Sequence, residues 1–275
     1  MTALARRAGA LVLLAGVSSG AVTPGDADVE PVAIPVRFAE GDARVPLELH
    51  MTGDAPPVQG ELTHVAMADG VVESRMVFHL PNSVFEETAT FTQAGVFELR
   101  SFHLVQGGSA FPADIDATLY RSGAYLVKST SHADGRVETF EGTIALPLDT
   151  YNGMVVTIAK NLPDGAPRRV HIVAFTPAPR IVALELAPAG GDRVVLGERK
   201  ATAMHVVIKP RLSALLRILA KLKGVTPQDS HVWIVNDRVP EFVGFEGPMY
   251  TGPVWRVNPS SSGWPQPIVT REPLP

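Results

Sequence analysis

Apolar and polar residues alternate along most of this chain, a pattern that predicts β-strands. The segment Val71–Leu80 shows it most clearly. Its apolar face carries Val72, Met76, Phe78 and Leu80, and its polar face carries Glu73, Arg75 and His79. Similar runs continue from Val36 to about Val257, so we predict one mostly-β domain over residues 36–257.

Pairs of extended runs flank short turn sequences, an arrangement that predicts β-hairpins. The predicted turns are Asp69-Gly70, Asp134-Gly135, Asp164-Gly165, Gly190-Gly191 and Asn236-Asp237. The third turn would join strands at Val155–Leu162 and Arg169–Phe175, although Tyr151–Val156 fits either a strand or a short helix. Hairpins without a strand–helix alternation predict an antiparallel sheet, built as a meander, a sandwich or an incomplete barrel. They argue against a parallel nucleotide-binding sheet.

One segment, 210–223, has helical periodicity instead. Its apolar stripe consists of Leu212, Leu215, Leu216, Leu219 and Leu222. Pro210 suits the first turn of a helix, and Gly224 suits the position just past its end. We therefore predict one amphipathic helix that covers a face of the sheet.

The N-terminal 21 residues have the three parts of a secretory signal peptide. Arg6 and Arg7 supply positive charge, Ala8–Val17 is apolar, and small residues precede a cleavage point after Ala21 or Ala27. An apolar run of about ten residues is half the length of a membrane span. We therefore predict a periplasmic or secreted protein without stable membrane insertion after cleavage. A flexible leader is expected at 22–35, and a Pro/Ser-rich irregular tail at 258–275.

Composition narrows the possible functions. The chain has no cysteine, so it can hold neither a disulfide nor a thiolate site, and no cysteine follows the cleavage point to carry a lipid. Its 24 basic residues are outnumbered by 28 acidic ones, and cleavage would remove two of the basic residues. This balance argues against nucleic acid as a partner, because nucleic acid binding needs a basic surface.

Motifs that carry chemistry are missing from the sequence. The eight histidines contain no metal-binding pair at helical spacing, and the chain after the predicted signal peptide contains neither a Gly-x-Ser-x-Gly elbow nor a glycine-rich phosphate loop. Asp114 and Asp116 share one face of an extended segment, but no full calcium loop follows. We interpret them, and Glu86-Glu87, as solvated strand residues. We predict no catalytic residues, no metal and no cofactor.

An aromatic-rich region follows the predicted helix and contains Trp233, Phe242, Phe245, Tyr250 and Trp255. Three interpretations remain open: the helix covers a solid core, closes a cavity that holds an apolar ligand, or lies on an anionic membrane surface. In the second interpretation, the lid consists of Leu212, Leu215, Leu216 and Leu219. The cavity wall then contains Trp233, Phe242 and Tyr250.

Three short motifs resemble an uncharacterised family of exported bacterial β-rich proteins, known as a domain of unknown function. They are Phe140–Thr143 with Leu146–Gly153, Val232–Val235 with Arg238–Pro240, and Gly247–Tyr250. The resemblance covers roughly residues 60 to 257. It implies a large curved antiparallel sheet, similar in outline to the half-barrels of periplasmic lipoprotein carriers, and it brings no catalytic residues.

These observations lead to three functional hypotheses. The first is non-catalytic binding of a lipid-like or apolar envelope component in a sheet-lined cavity. The second is an envelope hydrolase, which needs an acid and at least two of these histidines in one cleft: His64, His79, His103, His171 and His205. The third is a module that docks onto another envelope protein through a sheet edge or the aromatic region.

Overall fold

The computed structural model describes residues 32–51, 56–163, 166–176, 178–211, 228–249 and 252–267. They form one large, curved, open antiparallel sheet, which confirms the predicted fold class. The strands are β1 (Ala43–His50), β2 (Val58–Ala66), β3 (Val71–Leu80), β4 (Ser83–Ala94), β5 (Val96–Gly108), β6 (Ala113–Tyr120), β7 (Ala124–Ser131), β8 (Val137–Thr143), β9 (Arg168–Phe175), β10 (Pro179–Leu196), β11 (Arg199–Arg211), β12 (Ser230–Val235), β13 (Glu241–Pro248), β14 (Val254–Pro259) and β15 (Gln266–Pro267). The described part of the chain adds one short α-helix, α1 (Val155–Lys160), and a single 3-10 turn at Ala68–Gly70.

The sheet consists of two meanders joined edge to edge. Strands β1 to β8 follow one another in the first meander, and β10 to β14 follow one another in the second. Antiparallel pairing of β1 with β14 joins them, with Leu47 opposite Pro259. Strands β9 and β15 both pair with β10. The apolar faces of both meanders meet in one main core cluster.

Three of the predicted hairpins are confirmed: β2–β3, β7–β8 and β12–β13. In the first, Asp69 and Gly70 have φ angles of 58° and 68°. Tight hairpin turns whose twist matches that of the strands need two consecutive residues with positive φ. The face assignment of β3 also holds. Val72 and Phe78 are fully buried, whereas Arg75 pairs with Glu86 on the opposite face.

Two of the predicted hairpins are wrong in part. The turn residues of one of them, Asp164 and Gly165, lie outside the described residues. Residues Val155–Lys160, predicted as a strand before Asp164-Gly165, form helix α1. Tertiary contacts favour the helix. The side-chain amide of Asn161, at the end of the helix, donates a hydrogen bond to the Thr157 carbonyl and accepts hydrogen bonds from the backbone N–H groups of Arg37 and Phe38. Gly190-Gly191 is a bulge within the continuous strand β10, because a register shift there lets the pairing with β11 continue.

Both ends of the described chain pack onto the sheet. In the predicted leader, Ile34 is 3% exposed and its N–H donates to the Tyr151 hydroxyl at 2.8 Å. In the predicted tail, Trp264 packs edge-on against Trp233, with ring centroids 5.3 Å apart. The folded domain therefore extends beyond the predicted limits of 36–257.

The predicted helix 210–223 lies mostly outside the described residues. Its first two positions belong to strand β11, where Pro210 is opposite Leu184 and Arg211 is opposite Ala183. A proline fits there because its fixed φ is compatible with extended backbone. Among the helices that the structure describes, none is long and apolar enough to cross a membrane.

Candidate functional site

The curved sheet contains a cavity of about 770 Å³ on its inner side. Both meanders contribute to the wall, which is mainly apolar. Examples of the lining side chains are Leu62, Met76, Phe85, Ile172, Leu184 and Ile208. The volume falls within the roughly 300–1,000 Å³ of small-molecule sites, and the apolar lining is typical of them.

Glu87 is an exception in this wall. It lies on β4 between Phe85 and Ala89, two buried residues of the same face. Across the neighbouring strands it stands opposite Met76 and Leu104. The inward row across strands β2 to β7 reads Leu62, Met76, Glu87, Leu104, Ala117 and Val127. One carboxyl group therefore interrupts an otherwise apolar row.

The carboxyl group of Glu87 has no hydrogen-bond or ion-pair partner among the described residues. The side chain is partly buried, and it borders the cavity. Burial disfavours the charged form and raises the pKa of Glu87 to about 7, and no nearby charge contributes to this shift. A carboxyl group in this state can donate or accept a hydrogen bond, or pair with a cation, near neutral pH.

A second cavity of about 550 Å³ adjoins the first at Leu62, His64 and Phe242. Its wall is more polar than that of the first cavity. It includes Glu40 and Lys160, together with residues from the β10–β11 and β12–β13 turns and the chain after β14. His64, which is 5% exposed, lies on the boundary between the two cavities.

Glu40 is the centre of a buried ion network at this boundary. Both of its carboxylate oxygens lie 3.1 Å from Nζ of Lys160, and its Oε2 lies 3.3 Å from Nδ1 of His64. The His64 contact is an ion-pair distance without hydrogen-bond geometry. Burial raises the pKa of Glu40, but His64 and Lys160 together outweigh burial and lower it to about 2. The network holds the segment before β1 against helix α1.

The segment 149–153 is bound to strand β9, where Thr150 forms a parallel bridge with His171. Asp149 contacts Nδ1 of His171 at 2.7 Å, and the side chain of Asn152 makes two 2.8 Å hydrogen bonds to the backbone of Val173. Gly153 has φ +68°, and an added Cβ would meet the Phe102 ring at 3.0 Å. Asn152 and Gly153 also line the cavity. The contacts of segment 149–153 therefore fix the position of part of the cavity wall.

The histidines proposed for a hydrolase do not converge in the large cavity. His79 and His103 lie on the outer face, where both act on the charge of Glu86. His64 contacts Glu40, His103 contacts Asp116 at 3.0 Å, and His171 contacts Asp149. His205 contacts His231. His79 is exposed. Of the five, His64 is the one that lines the large cavity, and the described residues contain no group of three or more acids and histidines placed to hold a metal ion.

The predicted wall residues have different locations. Phe242 lines both cavities. Trp233 belongs to a separate buried cluster with Val194 and Val243, where it stacks on His205 and its indole N–H donates to Asp192. Burial, followed by repulsion from His231, lowers the pKa of His205. Tyr250 and the predicted lid residues Leu212, Leu215, Leu216 and Leu219 lie outside the described residues.

Glu87 was not recognised from the sequence as a site residue, because Glu86-Glu87 has the composition of a solvated strand surface. The feature that distinguishes Glu87 is its position in the alternation of inward and outward residues along β4. Phe85, Glu87 and Ala89 share one face, and Glu86 shares the opposite face with Thr88. An acid in line with two apolar residues at a period of two predicts a carboxyl group that points into the core.

Comparison of the chain with protein-family models, curated proteins and solved structures gave no match. The resemblance to an exported bacterial family therefore stays a prediction. Functional interpretation depends on the geometry of the cavity.

Proposed function

We propose that this chain binds a small apolar molecule, such as a lipid-like component of the cell envelope, in the cavity on the inner side of its sheet. The observation that carries this proposal is a volume of about 770 Å³ with a mainly apolar wall contributed by both meanders. Well-packed protein interiors keep few voids larger than a water molecule. A cavity of this size loses packing contacts that an apolar occupant would restore.

Partial filling of the cavity tests this proposal. Ala174 lies on β9 and lines the cavity, so Ala174→Phe places a ring in the volume that a ligand would occupy. We expect the affinity for the neutral fluorescent probe N-phenyl-1-naphthylamine to fall about tenfold, which corresponds to about 1.4 kcal/mol. Fluorescence titration of the purified protein measures this change.

Ala94→Phe is the matched control, because Ala94 is exposed at the end of β4 and does not line the cavity. Its probe affinity should equal that of the wild type. If the wild-type protein does not bind the probe, or if both variants bind it equally well, the proposal is wrong.

We also propose that residues 1–21 direct export to the periplasm or outside the cell. The charged, apolar and small-residue parts of this segment support the proposal. Expression of the full chain in a Gram-negative host, followed by N-terminal sequencing of the periplasmic fraction, should give a mature protein that begins at Val22 or Asp28. Recovery of the uncleaved chain in the cytoplasm would contradict export.

A further inference from the structure

We propose that the ligand of this cavity is a cationic amphiphile, with an apolar body in the cavity and an amine group that pairs with Glu87. This inference rests on the proposed function and adds the chemical class of the ligand. Its basis is the unpartnered carboxyl group on an apolar wall.

The surroundings of Glu87 leave its oxygens without donors. The flanking inward residues, Met76 and Leu104, are apolar. In the next inward row, the side-chain amide of Gln106 donates to the Ala113 carbonyl at 3.2 Å. A buried carboxyl group without a partner is costly in free energy. A ligand that brings its own donors would remove that cost.

Charge favours an amine over other donors. Among the described residues that line the cavity, the other ionisable group is His64, and its Nδ1 faces Glu40. The carboxylate of Glu87 therefore has no counterion among the described residues of the wall. An ammonium group supplies positive charge and N–H donors together, and charge-assisted hydrogen bonds are about twice as strong as neutral ones.

The same charges disfavour an acidic ligand. A fatty-acid carboxylate in this cavity would face the carboxylate of Glu87. Like charges at short range in a low-dielectric site repel one another strongly. A neutral alcohol avoids repulsion but leaves the charge of Glu87 unpaired. The expected order of affinity is therefore amine, then alcohol, then carboxylate.

Three ligands of equal chain length test this order: dodecylamine, dodecanol and dodecanoate. Each would displace N-phenyl-1-naphthylamine from the full mature chain at about pH 8, where Glu87 is mainly ionised, and below micelle-forming concentrations. We expect dodecylamine to bind wild type about tenfold more tightly than dodecanol. In Glu87→Gln this preference should disappear, because the ammonium group no longer meets a carboxylate.

The matched control is Glu86→Gln, which removes the same charge one residue away, on the face where Glu86 pairs with Arg75. It should keep the amine preference. The wild-type preference should also weaken as the pH falls below about 7, since Glu87 then becomes protonated, and it should not change with pH in Glu87→Gln.

The outcomes separate the inference from the proposed function. If the neutral probe binds but the amine shows no preference, or if Glu87→Gln keeps the preference, the amine assignment is wrong and cavity binding stands. If neither the probe nor any of the three ligands binds to the wild type, both proposals are wrong.

Discussion

Glu87→Gln is expected to stabilise the folded protein by about 3 kcal/mol above pH 7. The pKa of Glu87 is about 7 in the folded state, against 4.5 for an ordinary glutamate. As the pH rises from 4.5, the unfolded chain releases this proton while the folded chain retains it, so the wild type loses stability until the pH passes about 7. Each pKa unit corresponds to about 1.36 kcal/mol. Glutamine has no charge to bury.

Urea denaturation of ligand-free protein at about pH 4.5 and about pH 8 measures this effect. The free energies of unfolding of wild type and Glu87→Gln should agree at the lower pH and differ at the higher one. Glu86→Gln is the control and should lose up to about 1 kcal/mol at the higher pH, because its partly exposed pair with Arg75 is broken. A pH-independent effect of Glu87→Gln would contradict the buried position of this carboxyl group.

Glu40→Gln is expected to have an effect of the opposite sign. The folded-state pKa of Glu40 is about 2, so the ionised form stabilises the folded protein by about 3 kcal/mol at pH 7. This contribution to stability is fully present above about pH 4.5, and it is lost as the pH falls toward 2. The variant should therefore unfold at lower urea concentration at neutral pH, since it leaves Lys160 without its carboxylate partner.

The matched control for this variant is Glu61→Gln, because Glu61 pairs with Arg44 at the surface, and 78% of the Arg44 side chain is exposed. Exposed pairs contribute at most about 1 kcal/mol, so this variant should unfold close to the wild type. Equal loss of stability in the two variants would show that the network around Glu40 has no special role.

Local patterns in the sequence were sufficient to predict the sheet, because alternation and turn residues act over short distances. The turn at Asp69-Gly70 and the two faces of β3 are examples. Helix α1 could not be predicted in this way, since it depends on contacts of Asn161 with residues more than 120 positions away. The bulge at Gly190-Gly191 was also missed, because two glycines fit both a turn and an irregular strand.

The candidate site was harder to predict than the fold. The density of aromatic residues predicts Phe242 as a wall residue, and Phe242 lines the cavity. Trp233 was named for the same reason but lies in a different cluster, because the face of a strand depends on register and not on composition. Glu87 can be recognised as a site residue only when its neighbours on β2 to β7 are known. The sequence of a single strand does not show which strands pair with it.

The pairing of β1 with β14 has a consequence for how the binding site forms. Hairpins within each meander close short loops, whereas this pairing closes a loop that spans nearly the whole domain, and long-range contacts form slowly. The cavity takes Glu87 from the first meander and Ile208 from the second, so it exists only when the two meanders are packed together. A ligand can then bind only the completed fold, and its binding shifts the folding equilibrium toward that fold by mass action.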